Sequence, residues 1–234
     1  MLVRYPIGTL ANVAILSLIF VGVFETARGM FDDAPSDDAP LSGLVQTFVL
    51  WSALITGFSS ITGSIRDDTR SGLIEILWMG RFPAAVVLVM RAVISSVVVT
   101  VISIVIALFL SLVYQLGDVV TPALFKALGL VVPAALGLGL IFGAFVIVFK
   151  DIGPSVNLVQ FLLLPVFMAY DSSSAIWVWL LPGLSGLDAL ACASCDTPRW
   201  LMLSLPSAIW LLAGLMACAV AVRLSKKRGL VYEY

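Results

Sequence analysis

The feature that most constrains the fold of this chain is a series of apolar stretches, each long enough to cross a lipid bilayer as a helix. A bilayer core is crossed by about 20 predominantly apolar residues in helical conformation. The stretches that meet this length run over residues 6–24, 44–65, 84–114, 123–149, 152–170 and 201–222. They predict an all-α polytopic membrane protein with six transmembrane helices, forming a single domain over residues 1–234.

Composition leads to the same fold class. The chain is 61% hydrophobic and 12% charged, whereas a soluble domain is about 45–50% apolar and about 25% charged. A small globule needs a polar surface and cannot hide this excess in its core. Much of the surface is therefore predicted to face lipid.

One further apolar run, Ile176–Leu190, is short and is interrupted by Pro182, Gly183 and Gly186. Unpaired backbone is not tolerated in contact with lipid. We therefore expect a re-entrant or interfacial helical hairpin that packs against the bundle, between the fifth and sixth spans, and not a seventh span.

The distribution of basic residues predicts the orientation, because cytoplasmic loops of membrane proteins are enriched in Lys and Arg. With six spans and a cytoplasmic N-terminus, only Arg28, Lys126 and Arg199 of the 13 basic residues lie outside. Both termini are thus predicted to be cytoplasmic in a multi-pass protein of the cell membrane. A seventh span would place the basic tail outside.

The loop between the second and third predicted spans contains apolar residues at helical spacing. Leu73, Ile74, Leu77 and Trp78 recur with the spacing of one apolar helix face. Since tryptophan suits the headgroup region, this pattern is typical of a short amphipathic helix on the inner membrane surface. Periodicity alone fits an ordinary connector equally well.

The order of residues in this loop resembles that of ABC-2 type exporter permeases. A charged cluster precedes Gly72-x-x-Glu75, which is followed by a short apolar stretch and Arg81-Phe82-Pro83. In that family the pattern is a charged run, then G-T-[LF]-E, a few apolar residues and a proline. Leu73 and Ile74 stand where the family has Thr and Leu, so the match is partial.

The resemblance extends over nearly the whole chain. It includes a short N-terminal segment ahead of the first span, six spans, broken helices before the last span and a basic tail containing Gly229. It implies a permease subunit that pairs with a second permease chain, as a homodimer or heterodimer, and with two nucleotide-binding ATPase subunits.

The resemblance also assigns roles to residues. The loop would be a coupling helix that docks into a groove on the ATPase, and its contact residues would be Arg66, Asp67, Asp68, Arg70, Gly72, Leu73, Glu75, Leu77 and Trp78. For the charged members, plain solvation at the inner surface is the alternative. The chain contains no G-x-x-x-x-G-K-[ST] motif, so ATP and Mg²⁺ would bind to the partner subunit. No cofactor is expected in this chain.

Polar residues within the spans are candidates for a translocation path. Asn157 and Gln160 lie in the fifth span, where a hydrogen bond between helices is the alternative role. Ser96 and Thr100 lie in the third span, where bonding of the hydroxyls to their own helix is the alternative. Arg91, near the start of that span, either reaches the inner interface or has a functional role.

The remaining features exclude other functions or leave alternatives open. There is no histidine, and the net charge of −1 gives no case for nucleic-acid binding. Cys192 and Cys195 form a lone CxxC, read as a local disulfide or two free thiols. Ala135, Gly139 and Gly143 form a stripe of small residues that predicts close helix packing, within the chain or across a dimer.

The sequence thus predicts the transmembrane subunit of an ATP-driven exporter with an unidentified, amphipathic or hydrophobic substrate. A non-transporting assembly subunit would have the same topology. An intramembrane enzyme would need paired carboxylates or a nucleophile with a base, and the predicted spans contain no such pattern.

Overall fold

The structure, a computed structural model, describes Gly22 and residues 39–71, 84–115, 119–149, 153–168, 175–191 and 197–228. Within these ranges the chain is helical apart from short turns and contains no strand, which confirms the predicted all-α class. The helices are α1 (Ala39–Arg70), α2 (Ala84–Tyr114), α3 (Pro122–Phe149), α4 (Gly153–Met168), α5 (Ala175–Leu180), α6 (Leu184–Ala191) and α7 (Thr197–Arg228).

Four of these helices are long and apolar enough to cross a membrane. The apolar segments are Ser42–Arg70 in α1, Met90–Tyr114 in α2, Pro122–Phe149 in α3 and Arg199–Ser225 in α7. They coincide with four of the predicted spans and support an α-helical membrane protein. The predicted first span, 6–24, lies outside the described residues except for Gly22, which is helical.

Two of the helices are longer than the predicted spans. Helix α2 has the predicted bounds, but α1 and α7 extend beyond the apolar stretches 44–65 and 201–222. The charged residues 66–70 therefore form the last turn of α1 and not part of a loop, as the sequence had suggested. Hydropathy marks where a helix meets the bilayer, whereas the helix itself continues into the interface.

Over the described residues, helix α4 covers less than the predicted fifth span. It has 16 residues, which corresponds to about 24 Å at 1.5 Å per residue, whereas a lipid-exposed span needs about 20 residues. Its apolar part, Ser155–Phe167, is not long enough to count with the four longer helices. A fifth span is therefore still a prediction.

Helices α1 and α3 run parallel, as a constant register along their interface shows. The small residues of α3 face α1: Ala135 lies opposite Gly57, Gly139 opposite Phe58 and Ile61, and Gly143 opposite Ile65. Each step of four along α3 matches a step of four along α1. The predicted stripe of small residues thus serves packing within the chain.

Helix α7 packs on the opposite face of α3 and also runs parallel to it. Gly137 meets the backbone of Trp210, and Gly214 meets the backbone of Gly137. Nearer the start of both helices, Gly186 of α6 contacts Val131 while its neighbour Ser185 bonds Ser207. We refer to the end of the bundle at which α1, α3 and α7 begin as the upper end, and to the opposite end as the lower end.

Helices α2 and α4 run in the opposite direction and pack on different faces of α1. For α2, the hydroxyls of Ser60 and Ser95 are 3.0 Å apart, and Asp68, further down α1, pairs with the earlier residue Arg91. For α4, the Gln160 amide donates a hydrogen bond to the Ser59 hydroxyl, whereas the later residue Phe167 and the earlier residue Leu54 both lie beside Gly183. Because Ser59 and Ser60 are neighbours on α1, their side chains point about 100° apart.

The segment between α4 and α7 starts and ends on the upper side, since α4 runs upward and α7 downward. Within it, α5 and α6 are separated by a turn at residues 181–183, where Gly183 has φ +87°. The turn reaches Leu54 of α1 and Phe167 of α4, and Gly186 packs on Val131 of α3. The structure therefore contains two short helices, joined by a turn, that pack into the upper half of the bundle.

Exposure separates the core helices from the peripheral ones. In the most apolar 18 residues of α3 and α1, 72% and 67% of the residues are buried, whereas the figure is 28% for both α2 and α7. The exposed apolar residues of α2 include Met90, Ile94, Val97, Val101, Val105 and Leu112. A continuous apolar face of this kind suits contact with lipid and not with water.

Candidate functional site

The candidate functional site is the lower end of α1 and α2, the two helices that the loop 72–83 joins. Helix α1 ends at Arg70, and the Ser71 amide still donates a hydrogen bond to the Asp67 carbonyl at 3.0 Å. The Ser71 hydroxyl also donates to that carbonyl, at 2.7 Å. Both bonds go to the Asp67 carbonyl, one of the groups that a helix end otherwise leaves unpaired.

An ion pair joins the two helices at this end. The Asp68 carboxylate, in the last turn of α1, accepts a hydrogen bond from the Arg91 guanidinium of α2. The Asp68 side chain is only 9% exposed, whereas that of Arg91 is 39% exposed. Arg91 thus reaches from an apolar helix towards the lower surface and neutralises a buried carboxylate on the way.

The predicted coupling residues fall into two groups. Arg66, Asp67 and Arg70 lie beside Asp68 in the last turn of α1, where Asp67 and Arg70 are exposed and Arg66 is half-buried. Asp68 is buried and already paired within the chain. The other predicted residues, Gly72, Leu73, Glu75, Leu77 and Trp78, lie outside the described part of the chain, so their role is still a prediction.

The Asp68–Arg91 pair was not foreseen from the sequence, although a signal for it exists. Consecutive antiparallel helices bring together residues that lie at similar distances from the connecting loop. An acidic residue before a loop and a basic residue after it, both near apolar stretches, are then candidates for pairing. Because the sequence predicts the charged cluster to lie in the loop, it gives no reason to place Asp68 opposite Arg91 on a neighbouring helix.

The polar residues proposed for a translocation path have hydrogen-bond partners within the bundle. On α2, the Ser96 hydroxyl donates to the Val93 carbonyl at 2.7 Å, and the Thr100 hydroxyl donates to the Ser96 carbonyl at 2.8 Å. Both therefore bond to their own helix, which was the alternative role. On α4, Gln160 bonds Ser59 of α1, and Asn157 is exposed.

The structure does not gather these residues into one site. Ser96 and Thr100 lie on α2, whereas Asn157 and Gln160 lie on α4, and the two helices pack against different faces of α1. A path lined by all four residues would need a different arrangement of helices or a second chain. Their proposed role in translocation is still a prediction.

Other polar groups in the core serve helix packing. The Thr62 hydroxyl of α1 donates to the Gly139 carbonyl of α3 at 3.2 Å, and Ser185 and Ser207 share a hydrogen bond at 3.0 Å between α6 and α7. In the described ranges, no three His, Cys, Asp or Glu side chains are close enough to hold a metal ion. Cys218 is a buried free thiol, and Cys192 and Cys195 lie outside the described residues.

No family model matches this sequence, and no curated protein or solved structure matches the chain.

Proposed function

We propose that this chain is the membrane-spanning permease subunit of an ATP-driven exporter, energised by a separate nucleotide-binding subunit. The proposal starts from the order of residues in the loop 72–83, where Gly72-x-x-Glu75 and Pro83 follow a charged cluster. This order resembles the coupling loop of ABC-2 type permeases. The permease would work as a dimer with a second copy or with a related chain.

The observation that carries the proposal furthest is the way in which this loop is anchored. It joins two long helices, α1 and α2, that lie antiparallel and are linked at their lower ends by the Asp68–Arg91 ion pair. Movement of a partner bound to such a loop would be transmitted to both helices as a rigid-body displacement. A loop with free ends would absorb that movement instead.

Charge supports placing the lower end in the cytoplasm. Arg66, Arg70 and Arg223 lie at the lower ends of α1 and α7, whereas Lys126 and Arg199 lie at the upper ends of α3 and α7. Cytoplasmic ends of spans carry the excess of basic residues. In the proposed topology, the stretch 6–24 is the first of six spans, α4 is the fifth, and α5 and α6 form a re-entrant hairpin from outside.

The substrate would be amphipathic or hydrophobic and would leave by alternating access at the dimer interface. An apolar chain with lipid-facing helices can recruit such a molecule from the bilayer. The exposed Asn157 and the polar residues of α2 are the candidates for lining that route.

The test is a change of the loop that leaves the bundle intact. The purified complex with its ATPase is reconstituted in proteoliposomes, and the ATPase rate is compared with that of the ATPase subunit alone. We expect Glu75→Lys, or deletion of residues 72–75, to abolish the stimulation of ATP hydrolysis. The thermal stability of the chain should stay unchanged, because the altered residues lie beyond the end of α1.

The matched control is Lys126→Glu, a charge reversal of an exposed residue at the upper end of α3. It should leave the stimulation as it is in the unaltered chain. If ATPase stimulation survives both loop changes, the loop does not couple the subunits. If no ATPase forms a complex with the unaltered chain, a non-transporting assembly subunit becomes the better account.

A further inference from the structure

Asp68 is a buried acidic residue at the lower end of α1. The residue as a whole is 6% exposed and, among the described residues, it is the one charged residue in the buried core. It also lies in the last turn of α1, where the helix dipole disfavours negative charge. A buried charge is tolerated when it is paired, and Arg91 supplies the pairing charge.

Packing alone does not explain why this pair is present. An apolar pair of similar volume could also hold two helices together, because the desolvation of Asp68 offsets much of the attraction between the two charges. A charge pair with a buried carboxylate differs from an apolar contact in that the carboxylate is satisfied in one register and unsatisfied in others. This property suits a position where the register between two helices has to be fixed.

The pair is placed next to both ends of the loop 72–83. Asp68 lies in the final turn of α1, and Arg91 lies about two turns beyond Pro83, at about 3.6 residues per turn. Above the pair, α1 and α2 meet through apolar packing that includes the buried Val99, and through the hydroxyls of Ser60 and Ser95, which bond at 3.0 Å. The ion pair is therefore the strongest polar contact described between these helices.

We propose that Asp68 and Arg91 are positioning residues that fix the register of α1 against α2 at the base of the loop. As a consequence that rests on the proposed function, the loop transmits the movement of the ATPase only while the pair is intact. Neither residue needs to touch the partner, since the pair acts by holding both ends of the loop in place.

The first experiment uses the full chain without any ATPase. Ser60→Cys and Ser95→Cys are introduced into a chain whose own cysteines, Cys192, Cys195 and Cys218, are replaced by serine or alanine. The rate of disulfide formation under a mild oxidant, in lipid nanodiscs, then reports the register of α1 against α2. We expect a rapid reaction in this background, because the two serine hydroxyls are 3.0 Å apart.

Loss of one charge should slow this reaction several-fold. Arg91→Gln and Asp68→Asn are the test variants, and the double exchange Asp68→Arg with Arg91→Asp should restore the rate by re-forming the pair with reversed polarity. Lys126→Gln is the control for loss of an exposed charge at the upper end. A rate that is unchanged in Arg91→Gln and in Asp68→Asn would overturn the positioning role.

The second experiment measures the coupling itself in the complex with the ATPase. Arg91→Gln should lose most of the ATPase stimulation, and both the double exchange and the oxidised Ser60→Cys/Ser95→Cys disulfide should restore it. A pair that contributed only to overall stability would lower the unfolding temperature without rescue of coupling by the disulfide. Full stimulation in Arg91→Gln would contradict the proposed role in transmission.

The two experiments keep the two proposals apart. If the unaltered chain binds no ATPase, the proposed function fails, and the cross-linking rates still decide whether the pair fixes the register. If the cross-linking rates do not respond to the charge changes, the positioning role fails, whatever the ATPase does.

Discussion

At the scale of single residues, glycine determines how closely helices α3 and α7 approach each other. A side chain at Gly137 would overlap the Trp210 carbonyl, and one at Gly214 would overlap the backbone of Gly137. The backbones of α3 and α7 thus touch at one crossing. The sequence predicted close packing from Ala135, Gly139 and Gly143, but this crossing involves the opposite face of α3.

We expect Gly137→Ala and Gly214→Ala each to destabilise the protein by about 1–3 kcal/mol, the usual cost of overpacking a filled contact. The obstacle in both cases is backbone, which cannot move aside as the end of a flexible side chain can. The free energy of unfolding would be measured by denaturation with SDS in mixed lipid–detergent micelles.

Gly129→Ala is the control on the same helix, because the space beside Gly129 is open. Alanine has the higher helix propensity, so this change should be neutral or should stabilise the protein by up to about 1 kcal/mol. Equal destabilisation by all three changes would mean that the close crossing of α3 and α7 is wrong.

At this scale, hydrogen bonds within one helix could be predicted from the sequence, whereas partners on other helices could not. The bonding of Ser96 and Thr100 to their own helix, and of Gln160 to a neighbouring helix, had been stated as alternatives, and the structure contains these bonds. The partners themselves, such as Ser59 for Gln160 or Gly214 for Gly137, could not be predicted. They lie far away in the sequence, and no local pattern states which faces of two helices meet.

At the scale of helices, the apolar stretches predicted which helices form better than where each helix begins and ends. The bounds of α2 agree with the predicted span, and α3 begins at Pro122, next to the predicted start. Helix α1 continues through the charged residues 66–70, because a helix needs no apolar residues once it has left the bilayer. The break between α5 and α6 was predictable, since Pro182 and Gly183 disfavour a continuous helix.

The opposite directions of α4 and α7 predict that both ends of the α5–α6 segment lie on one side of the membrane. Single cysteines at Ala175 and Ala191, in a chain whose own cysteines are replaced, should both react with a membrane-impermeant maleimide added outside intact cells. A cysteine at the exposed Arg223, at the lower end of α7, should react only after the membrane is permeabilised.

Labelling of positions 175 and 191 from opposite sides would contradict this arrangement. It would mean that the segment crosses the bilayer, and the direction of α7 relative to α4 would then be wrong. Labelling of position 223 from outside would leave the fold intact but reverse the proposed orientation.

At the scale of the described bundle, three helices run parallel to one another and two helices run in the opposite direction. Helix α3 lies between α1 and α7, whereas α2 and α4 lie on the outer faces of α1. Composition and hydropathy were enough to predict a helical membrane bundle. They could not predict this order, because lipid-facing and protein-facing residues in such helices are similarly apolar.

The proposed function needs a partner, because ATP hydrolysis is proposed to take place on another chain. The described bundle supplies an ion pair between the lower ends of α1 and α2, an exposed apolar surface and a small number of polar side chains. The link to an exporter rests on the residues of the loop 72–83 and on their resemblance to a coupling segment. The central claim is therefore that this loop contacts an ATPase.

A photo-reactive amino acid at position 77 tests that claim most directly. Leu77 is replaced by benzoyl-phenylalanine in the cells that produce the protein, and the cross-linked partner is identified by mass spectrometry after irradiation. The same substitution at Val113, which is exposed near the upper end of α2, is the control. We predict a cross-link from position 77, and none from position 113, to a protein with a P-loop ATPase motif. If position 77 is cross-linked to no such protein in a chain that is folded and inserted, the coupling role is contradicted.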